Sequence, residues 1–444
     1  MAALRILHVA PYFEQAWAYG GIPRVVSALA HALAAAGHRV TVATTDARDA
    51  KGRTTPVGRT GSSRLAPRAE RTADGIDVVV FPNVSNAVAC RWQFYTPLGF
   101  AGWLRAHARD FDVAHLHACR NLLTARGATI LRRAGVPYVA QPNGTAGRIE
   151  RRLAAKAVFD ALFGDDLLAH AARVIAVSGS ERRQLQALLS PGSEDPGLHQ
   201  YEAPGLHQYE DAGLHQYEAP GLHQKESESK IRLVPNPLAP LPSCCLPERG
   251  RFRERLGLTN APLLMYLGTL GPRKQPGMLA RAAAALGRSD AQLVFAGNDM
   301  GEERAVRSLV RRLGLEPRTR FTGLLTGPSR YAALADADVL VYPSYGEVFG
   351  LVPLEALQAG TPVIVSNDSG CGEIVGELGG GLLVAPGHPA LLAAAIETIL
   401  GHLPRWRASA AQAGVEASRR FHPDAVAMDL AAIYREAMSG TGRA

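Results

Sequence analysis

The sequence predicts an α/β protein made of two doubly wound, Rossmann-like halves, and three observations carry that prediction. Short apolar runs rich in β-branched residues alternate with helical segments, the pattern of a parallel sheet covered by helices on both faces. The series breaks once, at a Pro-rich stretch near residues 236–247, and then begins again. At 444 residues the chain is long enough to bury two sizeable cores.

The first half opens with "RILHVAPYF", a buried strand, followed by "GGIPRVVSALAHALAAAGH", an amphipathic helix entered through Gly20-Gly21 and stopped by Gly37. "RVTVATTD", "IDVVVFPN", "FDVAHLHA", "VPYVAQPNG" and "ARVIAVSGS" continue the strand pattern. Residues 197–224 interrupt it with four copies of an octapeptide, "GLHQYEAP" and its variants. A period of eight is too short for a helical solenoid unit, and each copy offers a core one Leu and at most one Tyr. The repeat therefore reads as a disordered surface insertion. His199, His207, His215 and His223 recur within it, but without a fixed scaffold a slipped tandem duplication explains them better than a metal site. "IRLVPNPLAP" is a strand running into the linker. The predicted bounds are 1–236 for the first domain, 237–247 for the linker and 248–419 for the second domain.

In the second half "APLLMYLGTL", "AQLVFAGND", "TRFTGLL", "ADVLVYPS", "TPVIVSND" and "GLLVAP" are the strands. After "ADVLVYPS" comes "YGEVFGLVPLEALQAG", with Glu347 and Glu355 eight residues apart. On one continuous helix that spacing means about 12 Å of rise and about 80° of rotation, too far for one small site. A turn at Phe349-Gly350 resolves this. Glu347 then lies on the loop past a strand's carboxyl end and Glu355 in the first turns of a short helix, with Pro353 tolerated in its first turn and Gly360 as its stop. The N–H groups of Gly350, Leu351 and Val352 point to the same place and suit an anion. Hydroxyl acceptors beside phosphate donors fit a sugar nucleotide. "YLGTLGPRKQPGML" places Arg273 and Lys274 at a turn after another strand, where cations would clamp a diphosphate.

Composition narrows the classes. Apolar residues make up 47% and charged residues 20%, which is ordinary for a globular protein. No run is long enough for a bilayer span and the start lacks a signal-peptide pattern, so a cytoplasmic location is expected. The five cysteines, Cys90, Cys119, Cys244, Cys245 and Cys371, show no metal-ligand spacing and read as reduced thiols. Net charge is +8, yet residues 1–150 alone hold 18 Lys and Arg against 9 Asp and Glu, an excess of nine. That bias favours an anionic partner, such as a phospholipid surface or a phosphorylated acceptor, and without a recognition motif it does not indicate nucleic acid. No Gly-x-Gly-x-x-Gly fingerprint supports NAD, and "ADADVL" precedes its strand instead of ending one, so it is no metal ligand set.

The run "GTLGPRKQ", "VFAGND" and "ADVLVYPSYGEVFGLVPLEALQAGTPVIVSNDSGCGEIV" resembles the nucleotide-sugar half of the family 4 glycosyltransferases, retaining group 1 enzymes of the GT-B fold with two Rossmann-like domains facing across a cleft. The likeness runs over nearly the whole chain outside the octapeptides and includes "RRLAAKAVFDAL" and "VIAVSGSERRQL". It implies that Glu347 reads the donor sugar's hydroxyls, that Glu355 anchors the nucleotide ribose and that Lys274 binds phosphate. Phe349, Gly350, Leu351, Val352 and Arg273 complete the donor side. Gly20 and Gly21 match the family's glycine loop, and "DVAHLHA" matches the strand end with the site histidine, His117, with His115 as the alternative on the same face. Residues 420–438 correspond to the helix that crosses back to the first domain. Two departures stand out. Thr269 occupies the place of a usual second diphosphate cation, and Asn143 lies where many relatives have a His-Gly turn and cannot act as a base.

The resemblance implies transfer of a sugar from a nucleotide diphosphate sugar to an acceptor hydroxyl with retention, in cell-surface polysaccharide or glycolipid synthesis. His117, Glu347 and Lys274 would be the catalytic set, with no metal and no cofactor. The acceptor would be lipid-linked or a glycan, reached by peripheral association with the inner face of the membrane. Competing readings are another GT-B enzyme, such as an epimerase or an inverting transferase, against which the glutamate pair argues, and an inactive sugar-nucleotide sensor or scaffold, for which Thr269, Asn143 and the repeat give slight support and against which intact Glu347, Glu355, Lys274 and His117 weigh more.

Overall fold

The computed structural model of the protein describes residues 2–49, 52–54, 67–92, 95–146, 165–189, 230–241 and 249–440. The octapeptide insertion, the 151–162 segment, Cys244, Cys245 and most of the linker lie outside the described residues.

Two sheets form the framework. The first comprises β1 (Arg5–Val9), β2 (Arg39–Thr45), β3 (Arg68–Arg71), β4 (Asp77–Phe81), β5 (Val113–His117), β6 (Tyr138–Gln141), β7 (Arg173–Ala176) and β8 (Ile231–Leu233), in the order β3-β4-β2-β1-β5-β6-β7-β8. The second comprises β9 (Leu263–Leu267), β10 (Gln292–Ala296), β11 (Thr319–Gly323), β12 (Val339–Tyr342), β13 (Val363–Ser366) and β14 (Gly381–Val384), in the order β11-β10-β9-β12-β13-β14. All pairings are parallel except β3 with β4. Both sheets reverse their strand order beside the first strand, at β1/β5 and at β9/β12. Ligands of doubly wound folds bind outside the strand ends at those reversals.

Strand β3 was not expected. Its "RAER" has no apolar face to betray a strand, because it is a half-exposed edge, and the charges there discourage pairing with another chain. Elsewhere apolar residues fill both faces, as in β1, where Ile6 enters one core and Leu7 the other.

The last helix, Pro423–Ser439, packs on the helix Gly21–Ala35 and shares the first sheet's core. It buries Val426, Leu430, Ile433 and Tyr434 beside Ile6 and Val113. At about 1.5–3 kcal/mol for each large apolar side chain, this return holds the chain's two halves together. The preceding helix, Leu403–Arg420, belongs to the second half and sets Ala410, Ala413 and Ala417 against Leu357. No described helix is long and apolar enough to cross a membrane.

Candidate active site

The loops after β1, β6, β9 and β12 converge where the two halves meet. Gly20 caps the helix Gly21–Ala35 and Gly350 caps the helix Leu351–Gln358, each with a positive φ (94° and 80°) that an L side chain rarely adopts. A Cβ on Gly350 would also collide with the Cys371 thiol. The helix starts approach one another, since a Cβ at Gly21 would lie 3.5 Å from Leu351 Cδ1. Four non-glycine residues among those described have positive φ: Gln15, Ala118, Asn143 and Gln275. All four lie in the loops after β1, β5, β6 and β9, so the sparsely populated backbone is confined to this region.

Glu347 lies in the loop after β12, with Lys274 opposite it in the turn Pro272–Lys274 after β9. Lys274 Nζ pairs with Glu347 Oε2 and donates to the Tyr342 hydroxyl at 2.7 Å. The Tyr342 hydroxyl donates to the same carboxylate oxygen at 3.1 Å, and Ser344 Oγ does so at 3.3 Å. Burial alone would raise the Glu347 carboxyl, but the charges of Lys274 and Arg273 outweigh it and hold it down to about 2. Burial, and next the nearby Glu347 charge, push Tyr342 well above its ordinary value, so its hydroxyl stays protonated and donates. The carbonyl of Arg273 accepts from Tyr345 N at 2.9 Å, tying the two loops together.

Glu355 is placed differently. Its Oε2 accepts from Arg330 Nε at 2.8 Å and also from Arg330 Nη2, and its Oε1 accepts from Arg24 Nη1 at 3.2 Å. Arg330 comes from the helix Gly327–Asp336 of the second half and Arg24 from the helix Gly21–Ala35 of the first, so this carboxylate joins the halves. Neither arginine was singled out in the sequence. Arg24 carried one usable signal, its position in the first turn after Gly20-Gly21.

Phe349 requires a correction. Its ring is in the second-half core, 5.2 Å from the ring of Phe421 and edge-on to it, because the loop turns the apolar side chain inward. A ligand can meet this residue only through its backbone. Val352 is also packed against that core, whereas Leu351 lies against the cores of both halves.

His117 ends β5 fully buried, with His8 and His115 beside it. His8 Nδ1 and His117 Nε2 share a hydrogen bond of 2.8 Å, and His115 Nδ1 meets the Tyr434 hydroxyl at 2.7 Å. Burial lowers all three, His8 to about 3, so the imidazoles are neutral. Their nitrogens lie within 4.8 Å of one another, the one such grouping of possible metal ligands among the described residues. The His115 and His117 rings stack at 4.0 Å, whereas His8 and His117 meet edge to edge, their facing nitrogens sharing one proton. Nitrogens joined in that hydrogen bond do not offer both lone pairs to one ion. The set is better suited to hydrogen bonding than to coordination.

The turn with Asn143 is held from below. Glu181 accepts from Gly144 N at 2.6 Å and from Val177 N at 2.9 Å, and burial raises its carboxyl to about 7. A Cβ at Gly144 would lie 3.2 Å from Val348 and 3.8 Å from Arg273 Nη1, so this first-half turn faces the donor-side loops.

Comparison with known proteins gives the same picture over both halves. Residues 20–194 match the family model "Glycosyl transferase 4-like domain" and residues 248–413 match "Glycosyl transferases group 1". A D-inositol 3-phosphate glycosyltransferase of Corynebacterium efficiens is 34% identical over 195 residues, 42% of this chain and 46% of that protein. An uncharacterized glycosyltransferase of Methanocaldococcus jannaschii is 30% identical over 222 residues, 49% of this chain and 56% of that protein. The chain thus spans about half the length of the curated relatives it matches. Among solved structures, sucrose-phosphate synthase from Thermosynechococcus elongatus superposes with a TM-score of 0.70 at 21% identity, covering 98% of this chain and 100% of the other. HepE of Anabaena, solved with UDP-glucose, gives 0.66 at 19%, covering 97% and 99%. At such identities the likeness is one of fold, shared here from end to end.

Proposed function

Because the chain belongs to the group 1 glycosyltransferases, we propose that it moves a sugar from a nucleoside diphosphate sugar to an acceptor hydroxyl, with retention at the anomeric carbon. One observation carries the reading: a lysine, Lys274, of a kind that suits phosphate, and a carboxylate, Glu347, of a kind that suits sugar hydroxyls, share one buried site at a strand-order reversal, under two approaching helix starts.

Lys274 and Glu347 neutralise each other. A bound donor offers each a better partner, with diphosphate oxygens for Lys274 and Arg273 and sugar hydroxyls for Glu347. The anomeric carbon–oxygen bond to the diphosphate breaks, the bond to the acceptor oxygen forms on the same face, and the acceptor's proton passes to the departing phosphate oxygen. Negative charge then grows on the diphosphate, where Lys274, Arg273 and the N–H groups at Leu351 and Val352 stabilise it. Neutral His117, buried behind the first-half wall and bonded to His8, brings no charge to the site. This scheme needs neither a metal nor a protein nucleophile. The acceptor side belongs to the basic first half, which suits a lipid-linked or glycan acceptor bearing phosphate, brought to the protein at an anionic membrane surface in polysaccharide or glycolipid synthesis.

The test is thermal stabilisation by a panel of UDP, GDP and ADP sugars, with wild type beside Glu347→Ala and Lys274→Ala. A donor that stabilises the wild type and neither variant supports the site and names the base. Donor binding without hydrolysis or transfer would favour a sensor, and no stabilisation by any donor would overturn the reading.

A further inference from the structure

We propose that Arg24, contributed by the first half, is a ligand of the donor's diphosphate, and that Glu355 holds it in place until a ribose hydroxyl takes Oε1. The inference rests on the nucleotide-sugar reading and adds a residue to it.

The first ground is the unequal hold on Glu355. Arg330 directs two N–H groups to Oε2, and it is buried with the carboxylate in the same half. Arg24 reaches Oε1 through a single N–H at 3.2 Å, the long end of the N–H···O range, and its side chain keeps 23% of its surface exposed. A guanidinium has five N–H donors, so this contact leaves most of them for a ligand. Arg24 is therefore the exchangeable partner and Arg330 the fixed one. A ribose hydroxyl that takes Oε1 would release Arg24 beside the nucleotide.

Charge is the second ground. Four cations, Arg24, Arg273, Lys274 and Arg330, face three carboxyl groups, Glu347, Glu355 and Asp368, and 4 − 3 leaves an excess of one. A nucleoside diphosphate sugar carries two negative charges on its diphosphate. Without Arg24 the excess falls to zero. Thr269 supplies no cation after β9, where Arg273 and Lys274 are the second half's diphosphate cations, and Arg24 stands across the cleft to add one from the first half, on a helix whose first residue approaches Leu351.

Position is the third. Arg24 lies in the first turn of its helix, Glu355 in the second turn of the helix that starts at Leu351, and the two helix starts meet. Ribose at Glu355 and diphosphate at the helix starts are adjacent parts of one molecule, and Arg24 spans the step between them. Its guanidinium also lies 5.7 Å from the Trp17 ring centroid, which gives the planar group a surface to turn on.

Calorimetric titration tests this with a nucleoside 5′-diphosphate and the matching nucleoside, in the uridine, guanosine and adenosine series, on wild type, Arg24→Gln and Arg24→Lys. The expected result is a loss of tenfold or more in diphosphate affinity for Arg24→Gln, with nucleoside affinity unchanged or improved because Oε1 is released. Arg24→Lys, which keeps the charge and loses the fork, is expected to lose threefold to tenfold for the diphosphate alone, and it carries the test if the Gln variant does not fold. Diphosphate affinity equal to or above wild type, or the same loss for both ligands, overturns the assignment of Arg24. A wild type that binds no diphosphate in any series overturns the donor reading itself, a result distinct from failure of Arg24 alone.

Discussion

Glu347 and Glu355, eight residues apart in one loop-helix unit, meet two different kinds of partner. Glu347 faces a lysine and two hydroxyls, groups that a ligand can replace one at a time. Glu355 faces two arginines, one from each half of the molecule. Burial is similar, with side-chain exposures of 15% and 7%, so desolvation does not separate their roles. What separates them is whether the counter-ion belongs to the same half. The Lys274 pair is internal to the second half and preorganises a site, whereas the Arg24 contact reports on the distance between the halves. Two carboxylates of one signature thus sit one in a local pair and one in a contact across the cleft.

Three substitutions bear on this comparison. The largest effect is expected for Arg330→Ala, which leaves the buried Glu355 with Arg24 alone. Losing one partner of a buried ion pair costs about 3–5 kcal/mol, read as a drop in the urea midpoint at constant slope. A loss below about 1 kcal/mol would show that Arg24 is as strong a partner as Arg330 and would erase the asymmetry.

Acid titration bears next on the Glu347 side of the comparison. The Glu347 carboxyl is held down to about 2 against an ordinary 4.5, so the folded state binds its proton less tightly than the unfolded chain does. Its stabilisation is complete above about pH 4.5 and fades as pH falls toward 2. Glu347→Gln should flatten the acid limb of stability in that window while leaving the rest of the curve in shape. Glu181 runs the opposite way, because its raised carboxyl, at about 7, stabilises the fold below pH 4.5 and loses that contribution as pH climbs through 7. Equal acid limbs in wild type and Glu347→Gln would rule out the Lys274 pairing as drawn.

The smallest effect is expected from Tyr342→Phe, which removes the hydroxyl that sits between Lys274 and Glu347. A loss of about 0.5–1.5 kcal/mol is expected, with the Glu347 acid window moving upward because a donor to the charged form is gone. An unmoved window would mean that the lysine alone sets this carboxylate.

Much of the framework was legible in the sequence because strand alternation and helix stops are local. The predicted strands of both halves coincide with β1, β2 and β4 through β14, and the loop-then-helix placement of Glu347 and Glu355 follows from Gly350 and Pro353, residues whose backbone demands are readable one at a time. Strand β3 escaped because an edge strand with charges on both faces has no period to detect. The clamp on Glu355 escaped for a different reason. Arg24 is 331 residues away, and nothing near it in the chain records that distant partner. Likewise the face shared by His115 and His117 was visible from alternation, but His8 and Tyr434, which hold them, come from another strand and from the last helix. Phe349 stands in the expected loop, but its ring turns into the core, since a motif fixes where a residue stands more firmly than where its ring turns.

The returning helix Pro423–Ser439 has a consequence for biosynthesis. Its Val426, Leu430, Ile433 and Tyr434 complete a core otherwise built from residues 4–234. The first half, although made first, cannot close that face until residues 423–439 have left the ribosome, by which time residues 249–420 have long been available to fold. The usual order of domain-by-domain folding from the amino end is therefore inverted for this face, and an apolar surface waits through synthesis of the entire second half. Contacts so distant in sequence are also slow to form, which makes that waiting face the place where a holding chaperone would be most needed.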